Sequence, residues 1–167
     1  MSRQGMRRIA GIAIDSLAFA REGRHLVGEL AVNELPRLAD VLADDAGVLV
    51  CDVSGGRNEQ GKLYLRLTVM GELRLRCQRC LEAMRFPLAI DSQVLLVPPG
   101  APWPDEALED DSADAVEAQE QQSVTELVED ELLLALPVAP RHDACGLPGG
   151  ERNDGAASPF AVLAKLK

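Results

Sequence analysis

Two short runs far apart in the chain, Cys77-Gln78-Arg79-Cys80 and His142-Asp143-Ala144-Cys145, carry side chains able to ligate a metal ion. Between them they hold three of the four cysteines and one of the two histidines. Each pair is separated by two residues, the spacing with which a tight turn presents two donors to one tetrahedral ion. If the runs meet in space, three thiolates and one imidazole close a zinc coordination sphere with no open position, which is a structural site and not a catalytic one. Arg76 precedes the first pair and Arg79 lies within it, and both favour deprotonated sulfurs. Cys80 and His142 are 62 residues apart, so four free, reduced cysteines stand as the other outcome. A third reading makes Cys77 and Cys80 a redox dithiol. Such dithiols draw a lowered pKa from a helix N-terminus, whereas here the preceding pattern is a strand and no Trp or Pro accompanies the motif.

The elements that must deliver these side chains are written in the periodicity. From Leu63 to Cys77 the odd positions are apolar except Gly71, while the even ones carry Tyr64, Arg66, Thr68, Met70, Glu72, Arg74 and Arg76. Strict alternation predicts a half-buried strand with a basic outer face, bent or bulged at Gly71, that delivers Cys77 on its core side. Met84 to Val97 reads as the return strand, so Cys-x-x-Cys sits at the tip of a long antiparallel hairpin. Upstream, Asn33 and Pro36 open a short helix to about Asp44, and Val48 to Val53 is a strand closed by the turn-rich run Ser54 to Gly61. Cys51 lies inside that strand. Downstream, Ser123-Val124-Thr125-Glu126 is a capping box, and Val124, Leu127, Val128, Leu132 and Ala135 define a helix that Pro137 ends. Glu131 falls near its apolar face, where a satisfied polar contact is the expectation.

These elements predict one α+β domain over 1–167, built on an antiparallel, barrel-like sheet with a few short helices. Residues 98–122 are expected to form an acidic flexible insert and 146–158 a flexible linker. Residues 159–167 then form a docking segment, with Phe160 and Leu163 on one face. A nine-residue helix is marginal alone, so it must dock, either on the protein's own core or on a partner.

Charge is distributed unevenly. The chain carries 17 bases and 27 acids, a net −10, which taken alone argues against a nucleic-acid partner. Residues 86–140 hold thirteen of those acids and no Lys or Arg, so the rest of the chain, with fourteen acids and seventeen bases, is net +3. Arg66, Arg74 and Arg76 on one strand face, with Arg79 and Arg85 beside the hairpin tip, are candidates for phosphate contacts; an ordinary solvated sheet face is the alternative. Five aromatic residues are too few for a base-stacking platform, so any RNA contact would be backbone-directed and salt-dependent.

Other classes find little support. Asp15 interrupts the N-terminal apolar run after six residues, too early for a secretory signal, and no run approaches the roughly 20 apolar residues of a membrane span. A cytoplasmic protein with no membrane partner is expected. There is no Gly-rich phosphate loop, His25 stands alone, and Asp110 and Asp111 lie in the insert, so neither catalysis nor a small-molecule substrate is expected.

Four segments together carry a family resemblance: Cys77 to Leu81, Val128 to Pro137, His142 with Cys145, and the ending Pro159 to Ala164. In this order, over roughly residues 9 to 167, they resemble the YceD family, the large ribosomal RNA subunit accumulation proteins. The resemblance implies a cytoplasmic, metal-binding and nucleic-acid-binding bacterial protein with no catalytic activity, needed for normal accumulation of 23S ribosomal RNA. Its partners would be large-subunit rRNA or its assembly intermediates. The acidic insert adds a second partner class, a basic ribosomal protein that it could shield, against the plainer reading of a solubilising linker.

Overall fold

The computed structural model describes residues 6–103 and 114–148. In chain order the elements are β1 (Ala13–Ile14), α1 (Ser16–Arg21), β2 (His25–Ala31), β3 (Val48–Arg57), β4 (Leu63–Arg76), β5 (Ala83–Val97), β6 (Asp114–Glu117), β7 (Gln122–Ser123) and α2 (Val124–Ala135). One sheet runs β2-β3-β4-β5-β6, and β1 pairs with β7 in a separate two-stranded ribbon. The first three pairings of the large sheet are antiparallel, and β6 lies parallel to β5.

The α+β class and the antiparallel core of the sheet match expectation, but the sheet is open and not closed into a barrel. β6 covers only four residues of β5, and the outer edge of β2 meets the backbone of Arg7 and Ile9 through a single bridge at Glu29. Gly28 permits that close approach, since a Cβ there would lie 2.3 Å from the Arg7 carbonyl oxygen.

Alternation decides which face is buried. Leu49, Cys51 and Val53 of β3 and Leu65, Leu67, Val69, Leu73 and Leu75 of β4 all point inward and are buried, while Arg66, Met70, Arg74 and Arg76 face water. Helix α1, capped by Asp15 accepting from the Ala18 amide at 2.9 Å, crosses this inner face where Gly55 leaves room. A Cβ at Gly55 would stand 2.5 Å from Ala20 Cα. Helix α2 starts with Ser123 Oγ accepting from the Glu126 amide at 3.3 Å and buries Val124, Leu127, Val128 and Leu132. Leu136 is extended at ψ 140°, as the residue before a proline must be.

Three expectations change. The helix expected from Asn33 is two short 3-10 turns, Val32–Glu34 and Pro36–Leu38, because the proline holds Leu35 between them out of the helical region at ψ 73°. Strand β3 runs past Val53 to Arg57, as its glycines pair with β4 instead of turning. Within 98–122, Asp114–Glu117 forms β6 and Gln122 opens β7, while residues 104–113 lie outside the described residues, as do those from 149 onward.

Gly71 makes no bulge. The β4–β5 register is continuous from Tyr64 opposite Leu95 to Arg76 opposite Ala83. What changes at Gly71 is the other neighbour: pairing with β3 stops at Val50 opposite Met70. Gly71 has φ +156°, and a Cβ there would lie 2.6 Å from Leu49 Cδ2. Beyond it the β4–β5 arm continues alone, its free edge held by the Ala43 amide donating to the Arg74 carbonyl at 2.7 Å and the Arg76 amide to the Val41 carbonyl at 3.0 Å.

Candidate metal centre

The arm ends in a tight turn. The Cys77 amide donates to the Glu82 carbonyl at 2.9 Å, and the Leu81 amide to the Cys77 carbonyl at 3.0 Å. The segment after α2 is tied to this turn by the Gln78 amide, which donates to the Pro140 carbonyl at 2.8 Å. His142 Nε2 sits 3.3 Å from the Ala83 carbonyl, which orients Nδ1 toward the sulfurs. The two distant runs therefore converge.

Cys77, Cys80, His142 and Cys145 place one ligand atom each within 4.8 Å of one another. Cys77 Sγ is 3.7 Å from Cys145 Sγ, and Cys80 Sγ is 3.3 Å from His142 Nδ1. Around a tetrahedral zinc, with bonds of about 2.3 Å to sulfur and about 2.0 Å to nitrogen, such separations would be about 3.8 and 3.5 Å. The donor set and its spacing thus fit zinc.

The electrostatics fit as well. Burial pushes the Cys77 thiol up, but amides of Cys80, His142 and Arg79 point at its sulfur and bring it down to about 5. Cys145 is held above the ordinary thiol range by its burial and by the sulfurs of Cys77 and Cys80. The neighbouring sulfurs that disfavour ionisation of Cys145 become compatible with it once a divalent cation sits among them. Cys51 takes no part. It is fully buried on the inner face of β3, and burial pushes its thiol up to about 12.

The redox reading loses its premise, because the Cys-x-x-Cys turn follows a strand and does not start a helix. Leu81 completes the turn in the left-handed region at φ +66° with its side chain 59% exposed. A leucine there gains little burial to offset the strain. Leu81→Gly should therefore raise stability by about 1 kcal/mol, read as a higher urea midpoint at unchanged m-value.

The five sequence-nominated arginines separate into different surroundings. Arg66 forks onto Asp91 at 2.7 and 2.5 Å, Arg74 reaches Asp44 at 3.0 Å, and Arg85 reaches Glu72 at 2.8 Å. Arg79 donates to the Cys145 carbonyl at 3.0 Å, clamping the second ligand run against the first. Among the described residues Arg76 has no ion-pair partner, and neither has Arg141, which sequence reading passed over. Its signal was available: Arg141 is the first base after Arg85, and it precedes a ligand histidine. Phe160 and Leu163 lie outside the described residues.

Comparison with known proteins agrees with this architecture of motifs. The family described as large ribosomal RNA subunit accumulation protein YceD matches residues 65–167, which take in both ligand runs and α2. A protein of Haemophilus influenzae bearing that same name is 30% identical over 171 residues, covering 93% of this chain and 95% of the relative. No solved structure matches the chain. The match reaches across more than half of the sequence and the relative aligns almost end to end, so the chain belongs to the YceD family, the large ribosomal RNA subunit accumulation proteins.

Proposed function

We propose that this protein supports 23S rRNA accumulation without catalysis, in the cytoplasm, by contacting large-subunit rRNA or an assembly intermediate through the end of the β4–β5 arm. The observation that carries this reading is the convergence of Cys77, Cys80, His142 and Cys145 within 4.8 Å at the end of an arm that bears Arg76, with Arg141 beside His142 in the converging segment, neither arginine ion-paired among the described residues. A zinc ion held by those four side chains would supply no reactivity; it would brace the arm. Arg79, already bonded to the Cys145 carbonyl, ties the basic surface to the same brace. Arg74 and Arg85 stand opposite each other on adjacent strands, each in an exposed ion pair. Such pairs contribute about 0–1 kcal/mol, so a phosphate can replace the carboxylate. Arg66 lies ten residues back from Arg76 in a bidentate pair and contributes least.

The test is RNA binding by the full-length protein carrying Arg76→Glu and Arg141→Glu, measured against precursor large-subunit RNA across a salt series. Affinity should fall at least about tenfold, and the slope of log K against log salt should become shallower by about two. Zinc content should not change. Equal affinity and slope for the double variant and the parent would refute the assignment of this surface to RNA.

A further inference from the structure

Helix α2 and the β5–β6 edge enclose a groove of about 480 Å³ that the RNA reading does not use. Its floor is apolar, with Val116 and Leu127, and three acids, Asp114, Asp130 and Glu131, line it with one base, Arg37. Asp130 is engaged by Arg37. Glu131 differs, being only 8% exposed with no hydrogen bond or ion pair among the described residues. Its carboxylate oxygens are not sealed from water but face the groove, where a cationic ligand can meet them. Leu134, by contrast, is 71% exposed at the groove's rim, an apolar side chain left to water. The groove therefore asks for a ligand with apolar side chains and at least one cation.

We infer that its occupant is the chain's own terminal segment, Pro159 to Lys167, which lies outside the described residues. That segment reads Pro-Phe-Ala-Val-Leu-Ala-Lys-Leu-Lys, five large apolar or aromatic side chains counting its proline, two lysines and no acid. Phe160 and Leu163, three apart, fill the apolar floor, and Lys165 or Lys167 meets Glu131. The geometry of the tether allows it. The described chain ends at Pro148, next to the metal centre, and the centre is bonded to Pro140, five residues beyond the end of α2. The ten residues 149–158 span up to about 33 Å when extended, against about 18 Å for the whole length of α2. Tethering also replaces a bimolecular encounter with an effective concentration of about millimolar, enough for a nine-residue ligand of modest intrinsic affinity.

Amide hydrogen exchange of the full-length protein, read by mass spectrometry on the peptide spanning 159–167, tests this directly. In the parent protein these amides should exchange at least about tenfold more slowly than in a synthetic peptide of the same sequence. Leu134→Glu, at a rim position too exposed to threaten folding, should return them to the rate of the free peptide. The double change Lys165→Glu and Lys167→Glu should do the same, whereas Leu147→Glu, exposed but outside the groove, should not. Exchange at the free-peptide rate in the parent protein would overturn the inference and leave the groove to a basic protein in trans. Protection that survives either the Leu134 or the lysine change would overturn it too, by placing the segment elsewhere.

Discussion

Cys80→Ser is expected to yield protein with little or no zinc and a thermal midpoint about 10 °C below that of the parent. The donor set has no spare ligand, since Cys77, Cys80, His142 and Cys145 use every position of a tetrahedral ion. A metal present at about a thousand times its dissociation constant stabilises the folded state by about 4 kcal/mol. In a chain of this size each kcal/mol moves the midpoint by about 2–4 °C. A strong chelator should reproduce the loss in the parent protein and do nothing further to the variant. Cys51→Ser should keep its zinc, because that sulfur faces the core of the sheet and not the centre. Metal analysis by mass spectrometry and scanning calorimetry measure both quantities. Parent protein that is metal-free as isolated, with a midpoint indifferent to chelator, would remove the brace from the functional reading.

Leu75→Ala should destabilise the protein by about 2–5 kcal/mol. Leu75 is fully buried two residues before Cys77, in the part of the arm that β3 no longer supports. Its backbone bridges to Leu42, and its neighbours Arg74 and Arg76 bond to Ala43 and Val41, so this is where the arm is fixed to the body of the fold. The cavity left by truncation would slacken that attachment, and zinc affinity should fall along with stability because the first ligand pair loses its position relative to the second. Met70→Ala, on the same strand but 56% exposed on the outer face, should change stability by less than about 0.5 kcal/mol. Urea titrations of the three proteins separate the two cases. Equal midpoints for Leu75→Ala and Met70→Ala would mean that burial on the arm does not support it.

How far the sequence spoke for the structure depended on the range of the interaction. Alternation from Leu63 to Cys77 is a local signal, and it correctly assigned the buried face, the strand and the end of the hairpin where the first ligand pair sits. The Ser123 cap and Pro137 stop worked for the same reason, since each acts within a turn of its own helix. The metal centre was legible as two half-sites; that they meet depends on the Gln78–Pro140 and Arg79–Cys145 bonds, which no spacing announces. Ion pairs were out of reach. Arg66 finds Asp91 only because the β4–β5 register sets them on neighbouring strands 25 residues apart in the chain. Sheet closure failed for a similar reason: Asp114-Ala115-Val116-Glu117 is too short and polar to read as a strand, and only its parallel lie on β5 reveals that the sheet stops there. Glu131, expected to make a satisfied polar contact, has no hydrogen bond or ion pair among the described residues and lines the groove beside α2.

An open sheet presents unused backbone donors and acceptors along its rims, which other chains can recruit into fibrous aggregates. Here each rim is blunted differently. At β2 the backbone of Arg7 to Ile9 lies across it, and at β6 two exposed carboxylates, Asp114 and Glu117, bracket the two apolar residues of a four-residue strand. Those charges act as gatekeepers against self-templating, so neutralising both would trade solubility at high concentration for polymerisation without disturbing the folded monomer.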